Sequence, residues 1–319
     1  MAVVSRPLVA ALLLAGLASP GRAWNPRVPL PPVPCQVYPA DNVWNKDISG
    51  LPVDTMHSDA YVNSIGASLP LHPDFGTKKI GIPNAVVPDT QAAVPITFTA
   101  YGDESDAGPY PVPPGAPRER GSDHHVLVVQ TGPGPGDPCK LYELFAAQRK
   151  HRGAYWKAAS GAFWDLGSNA LRTAGYTSAD AAGLPILPGL VRHDEILKGA
   201  IDHALRFTAP RTQMAYVWPA RHFASSDTDP SLPPMGARFR LKAVVDISHF
   251  SATNQIILTA LKTYGMFVAD NGGAWFVTGA PDPGWDNNDL HLLTAIHGSD
   301  FEAVDESGLM VNSDSGQAQ

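Results

Sequence analysis

Hydrophobic and polar positions alternate in short runs along most of this chain, and turn residues separate the runs. Residues 94–101 (VPITFTAY), 125–130 (HVLVVQ) and 139–146 (CKLYELFA) each have the pattern of a strand. The turn-rich TGPGPGDP between the last two predicts a hairpin. Further strands are expected at 158–166 (AASGAFWDL), 203–208 (HALRFT), 214–218 (MAYVW) and 237–246 (ARFRLKAVVD). Residues 266–269 and 274–278 flank Asp270-Asn271-Gly272-Gly273, a pattern of strand, hairpin turn and strand. One segment has the period of a helix. Ile256, Ile257, Ala260, Leu261 and Tyr264 share a face, Ser251 can cap the start, and Gly265 ends it. A shorter helix is expected within 54–65, capped by Asp54 or Ser58. Residues 24–34 are Pro-rich and extended, 172–189 form a long loop with a polar centre, and the tail 307–319 is expected to fray.

Many short strands with one strong helix predict a mostly β fold, a β-sandwich or jelly roll formed by a single domain over residues 24–306. A doubly wound α/β fold needs several helices of that quality. Composition agrees: 29 Gly and 31 Pro supply the turns, while a hydrophobic content of 44% is too high for disorder.

The start of the chain predicts an address. Arg6 precedes the apolar run PLVAALLLAGL, and Ser19-Pro20-Gly21-Arg22-Ala23 supplies a helix break and small residues. The run is about 11 residues long against the roughly 20 that span a bilayer. Residues 1–23 are therefore expected to be a cleaved signal peptide, which makes the protein secreted. In an oxidising compartment Cys35 and Cys139 are expected to pair. Their loop of about 105 residues gives a chain-entropy stabilisation of about 4–5 kcal/mol. A net charge of −7 with no basic run argues against nucleic acid as a partner.

GxSxG, HExxH, GxxxxGK[ST] and GxGxxG are all absent. Polar and aromatic residues concentrate instead between about 121 and 222. Asp123-His124-His125 enters the VLVV strand, where polar groups sit at a sheet rim. Glu143 lies between Leu141 and Phe145; it is either a buried acid of raised pKa or a solvated strand residue. Asp165 follows Trp164, a pairing suited to sugars because an indole face stacks on C–H groups while a carboxylate takes hydroxyls or protons. Asp180, in Thr177-Ser178-Ala179-Asp180, is a candidate acid or simply part of a turn. In the 203–208 strand His203, Leu205 and Phe207 share one face and Arg206 the other. His203 is then a base or a hydrogen-bonded core residue. Arg221 and His222 follow directly after the expected strand that ends at Trp218, where loops present functional side chains. Trp285-Asp286-Asn287-Asn288-Asp289 fits turn capping; it lacks the EF-hand spacing, and a structural Ca²⁺ there has no further support.

Several phrases are distinctive as wholes: GSDHHVLVV, LYELF, SGAFWDLGSNALR, GYTSADAAGLPILPGLVRHDEI, IDHALRFT, YVWPARH and KTYGMFVADNGG. Together they resemble a widespread group of secreted microbial proteins known chiefly as hypothetical proteins. The resemblance covers most of the chain after residue 23. It implies a single domain rather than a fusion, and no catalytic residue follows from it.

These features lead to an extracellular enzyme that cleaves a polysaccharide by hydrolysis or β-elimination, without a cofactor. Glu143 and Asp165 form the expected carboxylate pair, with Asp123 and Asp180 in reserve and His203 as a base. Trp164, Trp218, Arg206, Arg221 and His222 are the expected substrate contacts. One alternative is a non-catalytic protein that binds a polysaccharide or cell-surface glycan. Another is a metal-dependent enzyme using Asp123, His124 or His125, His203 and His222.

Overall fold

The run VLVV has no polar member to mark a solvent face, and its strand is buried on both sides. It belongs to a chain with thirteen strands among its described residues. The strands are β1 (His72–Asp74), β2 (Asn84–Val87), β3 (Ile96–Phe98), β4 (Val126–Gln130), β5 (Lys140–Phe145), β6 (Gln148–Lys150) and β7 (Tyr155–Ala158). They continue as β8 (Ser160–Asp165), β9 (Leu205–Ala209), β10 (Arg238–Leu241), β11 (Met266–Asn271), β12 (Phe276–Thr278) and β13 (Phe301–Ala303). The helices are α1 (Ser58–Ile65), α2 (His193–Lys198), α3 (Ala252–Thr263) and α4 (Asn287–His291). The computed structural model describes residues 24–77 and 80–319, so the expected signal peptide lies outside the described residues.

Three sheets form. One is four-stranded in the order β2-β4-β5-β8, one three-stranded as β3-β7-β6, and one six-stranded as β1-β12-β9-β11-β10-β13. Alternation on β4 feeds two separate cores. Leu127 and Val129 join the larger one, while Val126 and Val128 join a smaller one with Leu144, Trp156 and Ala158. The expected β4–β5 hairpin is present, antiparallel from Val126 opposite Leu144 to Gln130 opposite Lys140. The major helix also follows its pattern: the Ser251 hydroxyl accepts from Asn254 N–H, and Gly265 adopts φ 66° just past the C-terminus. α1 starts at Ser58 with no side-chain cap on its N-cap His57. Asp54 instead accepts from the backbone N–H groups of Met56 and His57.

The protein is sheet-rich with few short helices, but the strands are not arranged as in an antiparallel jelly roll. Four strand pairs are parallel: β1 with β12, β9 with β11, β2 with β4, and β3 with β7. Parallel neighbours require crossovers, which hydrophobic alternation does not reveal. The largest local correction concerns Asp270–Gly273. β11 and β12 are not a hairpin, because β9 lies between them, parallel to β11 and antiparallel to β12. Residues 214–218 form no strand beyond a bridge from Tyr216 to Met235, and the 237–246 run shortens to β10. The tail 307–319 is tied down rather than frayed. Bridges join Asn42 to Gln317 and Ala170 to Ser315, and Arg221 holds Asp314 and the Ser313 carbonyl.

Cys35 and Cys139 are bonded, with Cα atoms 6.1 Å apart and a sequence separation of 104. No helix among the described residues is long and apolar enough to cross a membrane. Because the bridge ties the extended N-terminal segment to the start of β5, a Cys35→Ser/Cys139→Ser double variant is expected to lose about 2–5 kcal/mol. Urea unfolding at neutral pH measures this, and an unchanged midpoint refutes it.

Candidate functional site

Strand parity decides the fate of the expected carboxylate pair. Glu143 stands opposite Ala162 on β8, and Asp165 stands opposite Lys140 on β5. Directly opposed residues share a face and successive residues alternate, so Glu143 and Asp165 point to opposite faces of the four-stranded sheet. They cannot act on one substrate atom. Asp165 is exposed and accepts from the Gly167 N–H in a turn. Glu143 is completely buried. Its carboxylate accepts from the backbone N–H groups of Ile186 and Leu187 at 2.9–3.0 Å and from the Trp164 indole at 3.3 Å. Burial raises its pKa to about 7, and the backbone donors of Leu187 and Ile186 resist the rise. Both oxygens are occupied by the fold itself, so Glu143 anchors the 172–189 segment to the sheet.

The other expected site residues are distributed in the same way. Trp164 is buried beneath the Arg172 guanidinium and has no face free for a sugar. Trp218 donates its indole N–H to Ser315 O at 2.8 Å. His203 sits between Glu195, at 3.0 Å, and its neighbour's carbonyl, while Arg192 also pairs with Glu195. Arg221 is spent on the C-terminal tail and on Arg172 O. Asp123 lies in the turn before β4, its carboxylate accepting from the Ser122 hydroxyl and its carbonyl from Ala146 N–H. His222 faces the Ala181 carbonyl at 2.8 Å and Glu104 at 3.8 Å. Among the described residues no group of three or more His, Cys, Asp and Glu side chains is arranged to hold a metal ion. In the 285–289 cluster, Asp286 caps α4 and Asp289 accepts from the Ser251 hydroxyl.

Asp180 and Arg206 do come together, and a different set of residues surrounds them. The guanidinium donates to both Asp180 oxygens, Nε at 2.9 Å and Nη2 at 2.7 Å, and Nη1 donates to the Thr278 hydroxyl at 2.6 Å. Both members of this pair are buried. The register of the six-stranded sheet then builds one polar face. His72 stands opposite Phe276, Phe276 opposite Thr208, and Thr208 opposite Asp270. Asp74 stands opposite Thr278, whose hydroxyl reaches Arg206. The alternate residues Phe207 and Val277 turn to the other face, where Phe207 stacks on Trp275 at 5.5 Å. Asp270 owes its place to a register shift between Val268 and Asp270. The extra residue, Ala269, moves Asp270 from the core side to the polar side.

Glu119 and His125 complete the cluster. His124 adopts φ 53°, an unusual conformation for a residue with a side chain, at the turn that leads His125 into β4. The Glu119 carboxylate accepts from the His125 backbone N–H at 3.1 Å and lies 2.7 Å from Nδ1, while Nε2 lies 3.0 Å from Ala179 O. Both ring nitrogens face acceptors, so the ring carries both protons. Burial works against this imidazolium, but the Glu119 hydrogen bond and charge prevail and raise its pKa. In return, despite its own burial, Glu119 is held below the usual carboxylate range by His125. Asp270 goes the other way. Burial, then the Asp180 charge, push it up to about 7, with Arg206 opposing. Asp74 is also raised, chiefly by burial and against the pull of His72. Asp74, Glu119 and Asp270 all keep partial contact with solvent. The Asn271 side chain, on the other face, donates to Ala224 O at 3.0 Å and accepts from the Thr212 hydroxyl at 2.8 Å.

This arrangement presents acids of unlike proton affinity above a neutralised ion pair. Of its members, only Asp180 and Arg206 were expected as site residues, with His125 expected solely as a metal ligand. Comparison with protein-family models, with curated proteins and with solved structures found no match.

If the Asp180–Arg206 pair is a unit, breaking it strands a buried charge. Arg206→Met is expected to destabilise the protein by about 3–5 kcal/mol, and adding Asp180→Leu to recover much of that loss. Urea unfolding of the two variants measures the difference, and equal losses refute the coupling.

Proposed function

We propose that this protein is a secreted enzyme that cleaves a polysaccharide by general acid–base chemistry on the polar face of its six-stranded sheet. The observation that carries this reading is one solvent-bordered cluster in which Asp270 holds its proton near neutrality while Glu119 is kept ionised. Environments that push neighbouring carboxyl groups apart in proton affinity separate the roles of acid and base. Asp270 is the proton donor to the leaving oxygen. Glu119, or Asp74 when ionised, receives a proton from water in hydrolysis or from the sugar ring in elimination. Arg206 and Asp180 are positioning residues: their mutual neutralisation lets burial dominate at Asp270. The Thr208 hydroxyl, on the same face as Asp270, offers an acceptor to a sugar hydroxyl. The disulfide is in keeping with an exported protein.

The test is a polysaccharide panel assayed for new reducing ends and for the ultraviolet absorbance of an unsaturated product. Asp270→Asn is expected to lower kcat by about a hundredfold to ten-thousandfold. Wild-type activity is expected to fall as pH rises through about 7. The same variant makes a second, opposite prediction. A folded-state pKa above the unfolded value means the native protein binds the extra proton, so stability is present at low pH and is lost as pH rises toward 7. Asp270→Asn is therefore expected to be more stable than wild type at pH 8, by roughly 1–2 kcal/mol after allowing for partial exposure. Unchanged activity in the variant, or binding of a polymer without any cleavage, overturns the enzymatic reading.

A further inference from the structure

Beside Glu119 a cavity of about 800 Å³ opens between the 116–124 segment and the β6–β7 hairpin. Its wall carries Arg118, Arg120, Arg149 and Lys150. Among the described residues none of these four lies within ion-pair distance of a carboxylate, although the chain as a whole has a net charge of −7. Where they bond, they bond to neutral oxygens: Arg118 to Ala147 O, Arg149 to Pro114 O and Lys150 to the Gln148 side chain. Glu119 is the one acid on the wall, and its carboxylate is already engaged by His125.

Trp156 lines the same cavity and stands directly opposite Arg149 in the β6–β7 ladder, so the two side chains share a face. Four cations without a carboxylate partner on a roomy wall specify an anionic, oxygen-rich ligand.

We propose that this cavity is a binding subsite for an acidic unit of the glycan, a uronate carboxylate or a sulfate ester. The assignment rests on the glycan reading above and deepens it: the subsite would seat a charged sugar next to Glu119, at the edge of the acid–base cluster. An adjoining cation field also explains how an acidic protein retains a polyanion at its surface.

Calorimetry on the full chain without its expected signal peptide tests this with length-matched oligogalacturonate, a sulfated oligosaccharide, a neutral oligosaccharide and single-stranded DNA. At least one of the two acidic glycans is expected to bind tenfold or more tightly than the neutral one, and more weakly as salt rises. Whichever binds identifies carboxylate or sulfate as the anion. Arg120→Gln/Arg149→Gln, both at exposed positions, is expected to reduce that affinity at least tenfold with an unchanged circular dichroism spectrum. Equal affinity for acidic and neutral glycans, DNA binding at least as tight, or full affinity in the arginine variant overturns the subsite. Acidic glycan bound here but never cleaved leaves the subsite standing and removes the enzymatic reading. Asp270-dependent cleavage of a neutral polymer does the reverse.

Discussion

The bidentate ion pair between Arg206 and Asp180 is the constraint on which the polar face depends. A guanidinium buried in the middle of a sheet loses several kcal/mol of hydration, and only a carboxylate of matched geometry with further hydrogen bonds can offset that. The two Asp180 oxygens meet the Nε–Nη2 edge of the guanidinium, and Thr278 takes Nη1. The carboxylate is brought there by a segment without regular secondary structure, which has to satisfy its own backbone. Ser178 does much of this, donating its hydroxyl toward Asp180 O and Leu184 O while accepting from Asp180 N–H. The Ser160 hydroxyl holds Ser178 O from below at 2.6 Å. Pair and segment therefore specify one another. Without the arginine, the loop would carry a lone buried charge; without the loop, the sheet would.

Two acids among the described residues, Glu143 and Asp270, have their pKa raised to about 7, yet they have different work to do. Every oxygen of Glu143 is met by a donor that belongs to the fold, so it has nothing to offer a substrate. Asp270 accepts from the N–H of Asn271 next to it and keeps contact with solvent. A perturbed proton affinity is thus common to a structural anchor and a candidate acid. What separates them is whether the carboxyl group still has an unfilled partner and a route to water.

The sequence carried the local elements well. Uninterrupted VLVV, the LYELF partner strand and the Ser251–Gly265 helix follow directly from apolar periodicity and capping chemistry, and the cysteine pairing was expected from the compartment that the sequence predicts. Parity within HALRF also placed Arg206 correctly, opposite to Leu205 and Phe207. Order among strands was not legible, because alternation records which face a residue takes and says nothing about which strand lies alongside. That gap hid the site. Glu143 and Asp165 were paired on their local settings, an apolar strand and an adjacent tryptophan, and only the register between Lys140 and Asp165 puts them on opposite faces. Glu119 and Asp74 gave no local signal: Asp74 stands opposite Thr278, far along the chain, and Glu119 meets His125 only across the turn in which His124 takes a positive φ.

Asp270 shows the same limit at the scale of one residue. Followed by Asn271-Gly272-Gly273, it has the composition of a hairpin turn, and a regular β11 would point it toward Phe207 and Trp275. There an ionisable group would have no partner and no water, a loss that a core cannot absorb. One extra residue at Ala269 reverses its direction. The bulge gives up regular pairing with β9 and in exchange sets a carboxyl group beside Arg206 at the solvent border. A departure from regular pairing retained next to a buried ion pair is more simply explained by the side chain it re-aims than by the strand it disturbs.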